Sequence, residues 1–109
     1  MRSFITLVTA LPLVLAGTSS LKICTNANFG GTCSTIDLTQ RKCSKIEDPY
    51  YKHLGSAEAS KTITRIYSAS NCPEDKLVAM LTSPSDGKDL GAAGGKAEYV
   101  LVQECTGCP

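Results

Sequence analysis

The sequence predicts an all-β fold, a small disulfide-stabilised antiparallel sandwich or barrel. Three observations lead there. The apolar segments are short, rich in β-branched residues and separated by clusters of Gly, Pro, Asn, Asp and Ser, the punctuation of strands and turns rather than of helices. Six cysteines, Cys24, Cys33, Cys43, Cys72, Cys105 and Cys108, stand in a chain of 109 residues, a density that implies a disulfide framework. The amino-terminal segment reads as an export signal, which sends those thiols to an oxidising compartment where they pair.

Arg2 opens that segment, Phe4 to Ala16 is its apolar core, and Gly17-Thr18-Ser19-Ser20 supplies small residues for cleavage. Residues 1–20 are expected to be a signal peptide and residues 21–109 one secreted cysteine-rich domain. The apolar run falls short of the roughly 20 residues that cross a bilayer, contains Pro12 and has no successor, so no membrane span is expected. The 89 residues 21–109 suffice for one domain with a barely adequate core. Disulfides then become structural necessities, because closing a loop of about 15 residues contributes about 3 kcal/mol.

Leu21 to Thr25 (LKICT) alternates apolar and polar residues and reads as the first strand, and Thr35 to Leu38 (TIDL) as a second. Ser44 to Ser60 has no period; Ile46, Tyr50, Tyr51 and Leu54 are expected to form a loop or short helical turn that folds back over the core. Thr62 to Tyr67 (TITRIY) alternates again. Leu77 to Leu81 (LVAML) and Tyr99 to Val102 (YVLV) are continuous apolar runs, read as strands buried on both faces, with one turn of helix as the alternative for LVAML. Turns are expected at Asn28 to Gly31, Asn71 to Asp75, Ser83 to Gly87 and Gly91 to Gly95.

Without Arg2, the mature chain balances ten basic against ten acidic residues. Nucleic acids and anionic lipids demand a cationic face, and only Arg41-Lys42 with Lys45 is locally basic, so no nucleic-acid partner is expected. Without an Asn-x-Ser/Thr sequon, N-glycosylation is not expected either.

The run Ile23-Cys24-Thr25-Asn26-Ala27-Asn28-Phe29-Gly30-Gly31-Thr32-Cys33 resembles the opening of a βγ-crystallin Greek key: a strand, a tight turn with an aromatic and a Gly, and a second strand. Arg65 to Cys72 is similar to a weaker second copy, and Ala59 to Thr64 and Gly94 to Tyr99 resemble the matching ends of the two keys. The resemblance implies two Greek keys forming one domain. It also implies where calcium would bind, in a turn of each key carrying Asx and Ser ligands. Ser60 and Gly95 occupy places where an acidic or amide ligand would stand, so calcium and other cofactors are not expected. The same opening run resembles small secreted cysteine-rich proteins of filamentous fungi, and the wider βγ-crystallin-like group includes antifungal killer toxins and secreted metalloprotease inhibitors.

His53, the sole histidine, has Ser56, Ser60 and Asp48 near it in sequence, but these share one turn-rich segment without the strand-turn-helix context that exposes a nucleophile. Glu47-Asp48 and Glu74-Asp75 border prolines and read as solvated turn residues. Cys105-Thr106-Gly107-Cys108 has the spacing of redox and zinc motifs but closes the chain, and a structural disulfide is the expected reading. Six cysteines allow fifteen pairings. Cys33 with Cys43 is preferred, as the two flank the second strand and its return, and Cys72 is expected to tie one key to another segment. Tyr50, Tyr51 and Leu54, beside Lys45, Lys52 and His53, are the candidate recognition residues, with core packing of either tyrosine as the competing reading.

A chain with an export signal, a bridged fold and no catalytic set is expected to be a non-enzymatic effector or elicitor. It would act on host tissue by binding a protein or surface component. The alternatives are an antimicrobial, killer-toxin-like protein, or a protease inhibitor presenting Ser83 to Gly87.

Overall fold

The computed structural model describes residues 17–109. The apolar core of the expected signal lies outside the described residues, and the expected cleavage region overlaps the start of the first strand. That strand, β1 (Thr18–Asn26), pairs antiparallel with β2 (Gly30–Thr39) on one side and β4 (Ser56–Glu58) on the other, giving a sheet ordered β2-β1-β4. A second sheet is ordered β3-β7-β5-β6, from β3 (Ser44–Lys45), β7 (Tyr99–Glu104), β5 (Thr62–Tyr67) and β6 (Leu77–Leu81). Every pairing is antiparallel.

The connection pattern is that of two interlocked Greek keys. The third strand of the first half, β3, leaves its own sheet to pair with β7 of the second half. Residues 87–90 of the second half make the reciprocal crossing: the Ala57 N–H donates to the Gly87 carbonyl at 2.9 Å, and the Leu90 N–H to the Gly55 carbonyl at 3.0 Å. Each half therefore lends an edge to the other's sheet.

Alternation along the strands decides what is buried. Leu21 and Ile23 of β1, Ile66 of β5 and Val100 and Val102 of β7 point inward and meet Leu38, Ile46, Tyr50, Leu54, Ala57, Leu81, Leu90 and Ala97 in one core. Thr62 and Thr64 are also buried, and their hydroxyls share one hydrogen bond at 3.2 Å.

The five strands expected from the sequence are all present. Two details differ. Neither β6 nor β7 is buried on both faces: Val100 and Val102 are buried while Tyr99, Leu101 and Gln103 are half-buried, and Met80 is 52% exposed. A two-layer sandwich covers only one face of each sheet. The aperiodic stretch 44–60 holds two very short strands, β3 and β4, around a tight turn in which Tyr50 and Tyr51 N–H groups both donate to the Glu47 carbonyl. Gly91–Gly94 forms a single turn of helix, α1.

The disulfides join Cys24 to Cys33, Cys43 to Cys72 and Cys105 to Cys108. The expected Cys33–Cys43 bridge is thus incorrect. Cys33 lies early in a straight strand that carries the chain roughly 20 Å further before it turns, while the β1–β2 register sets Cys24 directly opposite it. Cys72 ties the two keys together through Cys43.

Candidate binding site

The open side of the sandwich lies between β2 and β3, the edge strands of the two sheets. β2 is exposed along most of its length because its sequence, GGTCSTIDLT, places only Ile36 and Leu38 toward the interior. β3 is two residues long and cannot close the gap. The result is a cleft of about 510 Å³, floored by Ile23, Ile36, Leu38 and Tyr50. Its rim carries Asp37, Glu47 and Asp48 against Lys42 and Lys45, with hydroxyls from Ser34, Thr39 and Ser44. An apolar floor under a polar rim holds the apolar part of a ligand and fixes its polar ends.

The three candidate recognition residues separate. Tyr50 is 6% exposed and forms part of the cleft floor, whereas Leu54 is 2% exposed and belongs to the core. Tyr51 turns outward. Its hydroxyl donates to Glu98 Oε1 at 3.0 Å, and the ammonium groups of Lys45 and Lys52 lie 5.2 and 5.7 Å from its ring centre. Lys52 also pairs with Glu98 at 3.6 Å. Accepting the phenol proton's hydrogen bond, Glu98 holds the Tyr51 pKa above 10.0, with burial adding to the effect.

Sequence reasoning missed the cleft because its lining comes from both sheets and the intervening turn. Lys42 and Lys45, locally basic in the sequence, stand on its rim. The available signal was the pairing of Ile36 with Leu38 on one side of an otherwise polar strand.

Among the described residues no hydrogen bond joins His53 to Ser56, Ser60 or Asp48. Ser56 is fully buried, and its hydroxyl donates to the Asn26 carbonyl at 2.6 Å while accepting the Phe29 N–H at 3.0 Å. His53 instead lines a shallow depression with Lys52 and Gly55, Gly91, Gly94 and Gly95. In the Ser83–Gly87 turn, Asp86 Oδ2 accepts hydrogen bonds from the Thr82 N–H, Thr82 hydroxyl and Ser83 N–H at 2.8, 3.0 and 3.1 Å. The Thr82 backbone bond leads the interactions that hold the Asp86 carboxyl below its ordinary 3.8.

No protein-family model and no curated protein matches the chain. Solved structures do. A clostrillin double mutant in complex with nickel is similar with a TM-score of 0.60 at 16% identity, covering 79% of this chain and 99% of that one. Two variants of a βγ-crystallin domain from Clostridium beijerinckii match with TM-scores of 0.58 and 0.59 at 17% and 16% identity, each covering 78% of this chain and 97% and 98% of theirs. The chain has the βγ-crystallin fold.

Within that βγ-crystallin fold, Ser60 and Gly95 sit at exposed ends of the two keys. Among the described residues no three His, Cys, Asp or Glu side chains gather around a common point, and no helix is long and apolar enough to cross a membrane.

Proposed function

We propose that this protein is a secreted, non-enzymatic effector or elicitor that acts on host tissue by binding, and that the β2–β3 cleft holds the bound group. The observation that carries this reading is the cleft itself, an apolar floor of Ile23, Ile36, Leu38 and Tyr50 beneath a rim of mixed charge. The three disulfides support an extracellular role, since they persist in oxidising surroundings and resist unfolding by proteases there. The test is deletion of the gene in the producing organism, with colonisation of host tissue compared against growth in pure culture. Reduced colonisation with normal growth is expected, restored by the wild-type gene but not by Thr39→Arg or Ile36→Arg forms verified as secreted and folded. Unchanged colonisation would overturn the reading.

One observation favours a second reading. The Ser83–Gly87 turn is held rigid by Asp86 and anchored through Gly87 to β4, and a preorganised turn suits a protease inhibitor. Inhibition assays against extracellular serine, cysteine and metalloproteases test it.

A further inference from the structure

The outward face of the β3-β7-β5-β6 sheet carries a composition unlike a solvated surface. Strand register sets Met80, Arg65 and Leu101 directly opposite one another in one outward row. Ile63 and Gln103 form the next row, and Tyr99 and Lys45 the row on the other side. Arg65 Nη1 donates to Gln103 Oε1 at 2.6 Å, linking the two rows. Tyr51 extends the face past Lys45. Tyr, Arg and Met are the residue types enriched at protein interfaces and at their energetic centres. None of these side chains belongs to the core, and none lies on the cleft floor.

Charge selects the occupant. Two acids at the margin are already engaged, Glu98 by Tyr51 and Lys52 and Glu104 by Arg41 at 2.8 Å, while Glu47 and Asp48 stand beside Lys45 on the cleft side. Among the described residues no carboxylate forms an ion pair with Lys45 or Arg65, the two cations within the face. A second copy docked through the same face would set those cations against each other, the wrong sign for an isologous contact. With two residues in β3, five in β6 and six each in β5 and β7, strands about 4.8 Å apart span roughly 300 Å², below the roughly 800 Å² per partner of a stable interface.

We propose that this face is a docking surface for an acidic segment or patch of another protein, with apolar or aromatic side chains seated on Ile63, Leu101, Met80 and Tyr99 and carboxylates reaching Lys45 and Arg65. The contact is transient and weakens with salt. It shares Lys45 with the cleft rim but none of the cleft-floor residues.

The test uses the full secreted protein and a random copolymer of glutamate and tyrosine as probe, with polyglutamate and polylysine as controls. Binding is followed by amide chemical shifts. Expected are shifts centred on Ile63, Arg65, Tyr99 and Leu101, affinity for the copolymer above that for polyglutamate, no binding of polylysine, and about tenfold weaker binding by Arg65→Glu and Leu101→Asp. Lys45→Glu, outside the central row and exposed, provides a variant whose folding is not in question and is expected to weaken binding by a smaller factor. Equal binding by folded variants, shifts centred on Lys42 and Ser44 of the cleft, absence of binding, or dimerisation in sedimentation would each overturn the proposal.

Discussion

Cys24 and Cys33 stand directly opposite each other in the β1–β2 ladder, so their bridge closes a loop that a hydrogen-bonded hairpin already closes. Cys43–Cys72 does something different: it spans 29 residues and fastens the turn after β2 to the turn before β6, joining the two keys. Loop-closure entropy alone gives about 3.6 kcal/mol for that bridge and about 1.6 kcal/mol for Cys105–Cys108 with its separation of 3. Replacing Cys43 and Cys72 by Ala is therefore expected to cost about 3 to 4 kcal/mol in urea denaturation, and replacing Cys105 and Cys108 under about 2 kcal/mol. Equal costs would show that the carboxy-terminal bridge holds more than its own short loop.

Adjacent tyrosines with opposite environments give a second expectation. Leu54→Ala empties a site that is 2% exposed and should cost about 2 to 5 kcal/mol. Tyr50→Ala should fall in the upper part of that range, because the ring fills the junction of cleft and core. Tyr51→Ala removes only a rim hydrogen bond and two lysine contacts and should cost about 1 kcal/mol or less. Thermal melts of the three variants rank them, and a Tyr51→Ala loss as large as that of Leu54→Ala would place Tyr51 in the core.

The same pair marks what could be read without a structure. TITRIY became β5 residue for residue, since six alternating positions suffice to declare a period. Ser44–Lys45 and Ser56–Glu58 are too short to show any period; they are strands because neighbouring chain segments offer them partners at β7 and β1. LVAML was legible as a strand, but not which side would face water, as both faces are apolar and the sandwich covers only one. Bridge partners depend on how far β2 runs before turning, which the spacing of Cys33 and Cys43 does not encode. The cleft needed both sheets in place before Ile36, Lys42 and Glu47 could become neighbours.

Two neighbouring glycines are expected to respond with opposite signs. A Cβ on Gly94 would collide with the carbonyl of Leu54, where the Leu54 N–H also donates to the Gly94 carbonyl at 3.2 Å. Gly94→Ala must push two backbones apart and should cost about 1 to 3 kcal/mol. Gly95 adopts φ −72 and its Cβ would meet the Ala92 carbonyl at an ordinary 3.5 Å. Gly95→Ala should then stabilise by about 0.4 to 1 kcal/mol through the unfolded chain. Paired denaturation curves decide it, and a destabilised Gly95→Ala would show that this turn needs glycine for a reason other than space.

Asp86 gives the turn at Ser83–Gly87 a defined response to acid. Its carboxylate accepts three hydrogen bonds that are stronger to the ionised form, so its pKa is lower folded than unfolded. A depressed carboxyl contributes stability that is fully present above the ordinary value of 3.8, declines as pH falls toward the folded value and is absent below it. Wild type should therefore exceed Asp86→Ala in stability at about pH 6, and the gap should close as pH falls through the folded value. At the higher pH, Asp86→Ala should also lose hydrogen-exchange protection at the Thr82 and Ser83 amides, the two that donate to the carboxylate. A stability gap that persists unchanged in acid would mean that the side chain packs rather than accepts, and the rigid-turn basis of the inhibitor reading would fall with it.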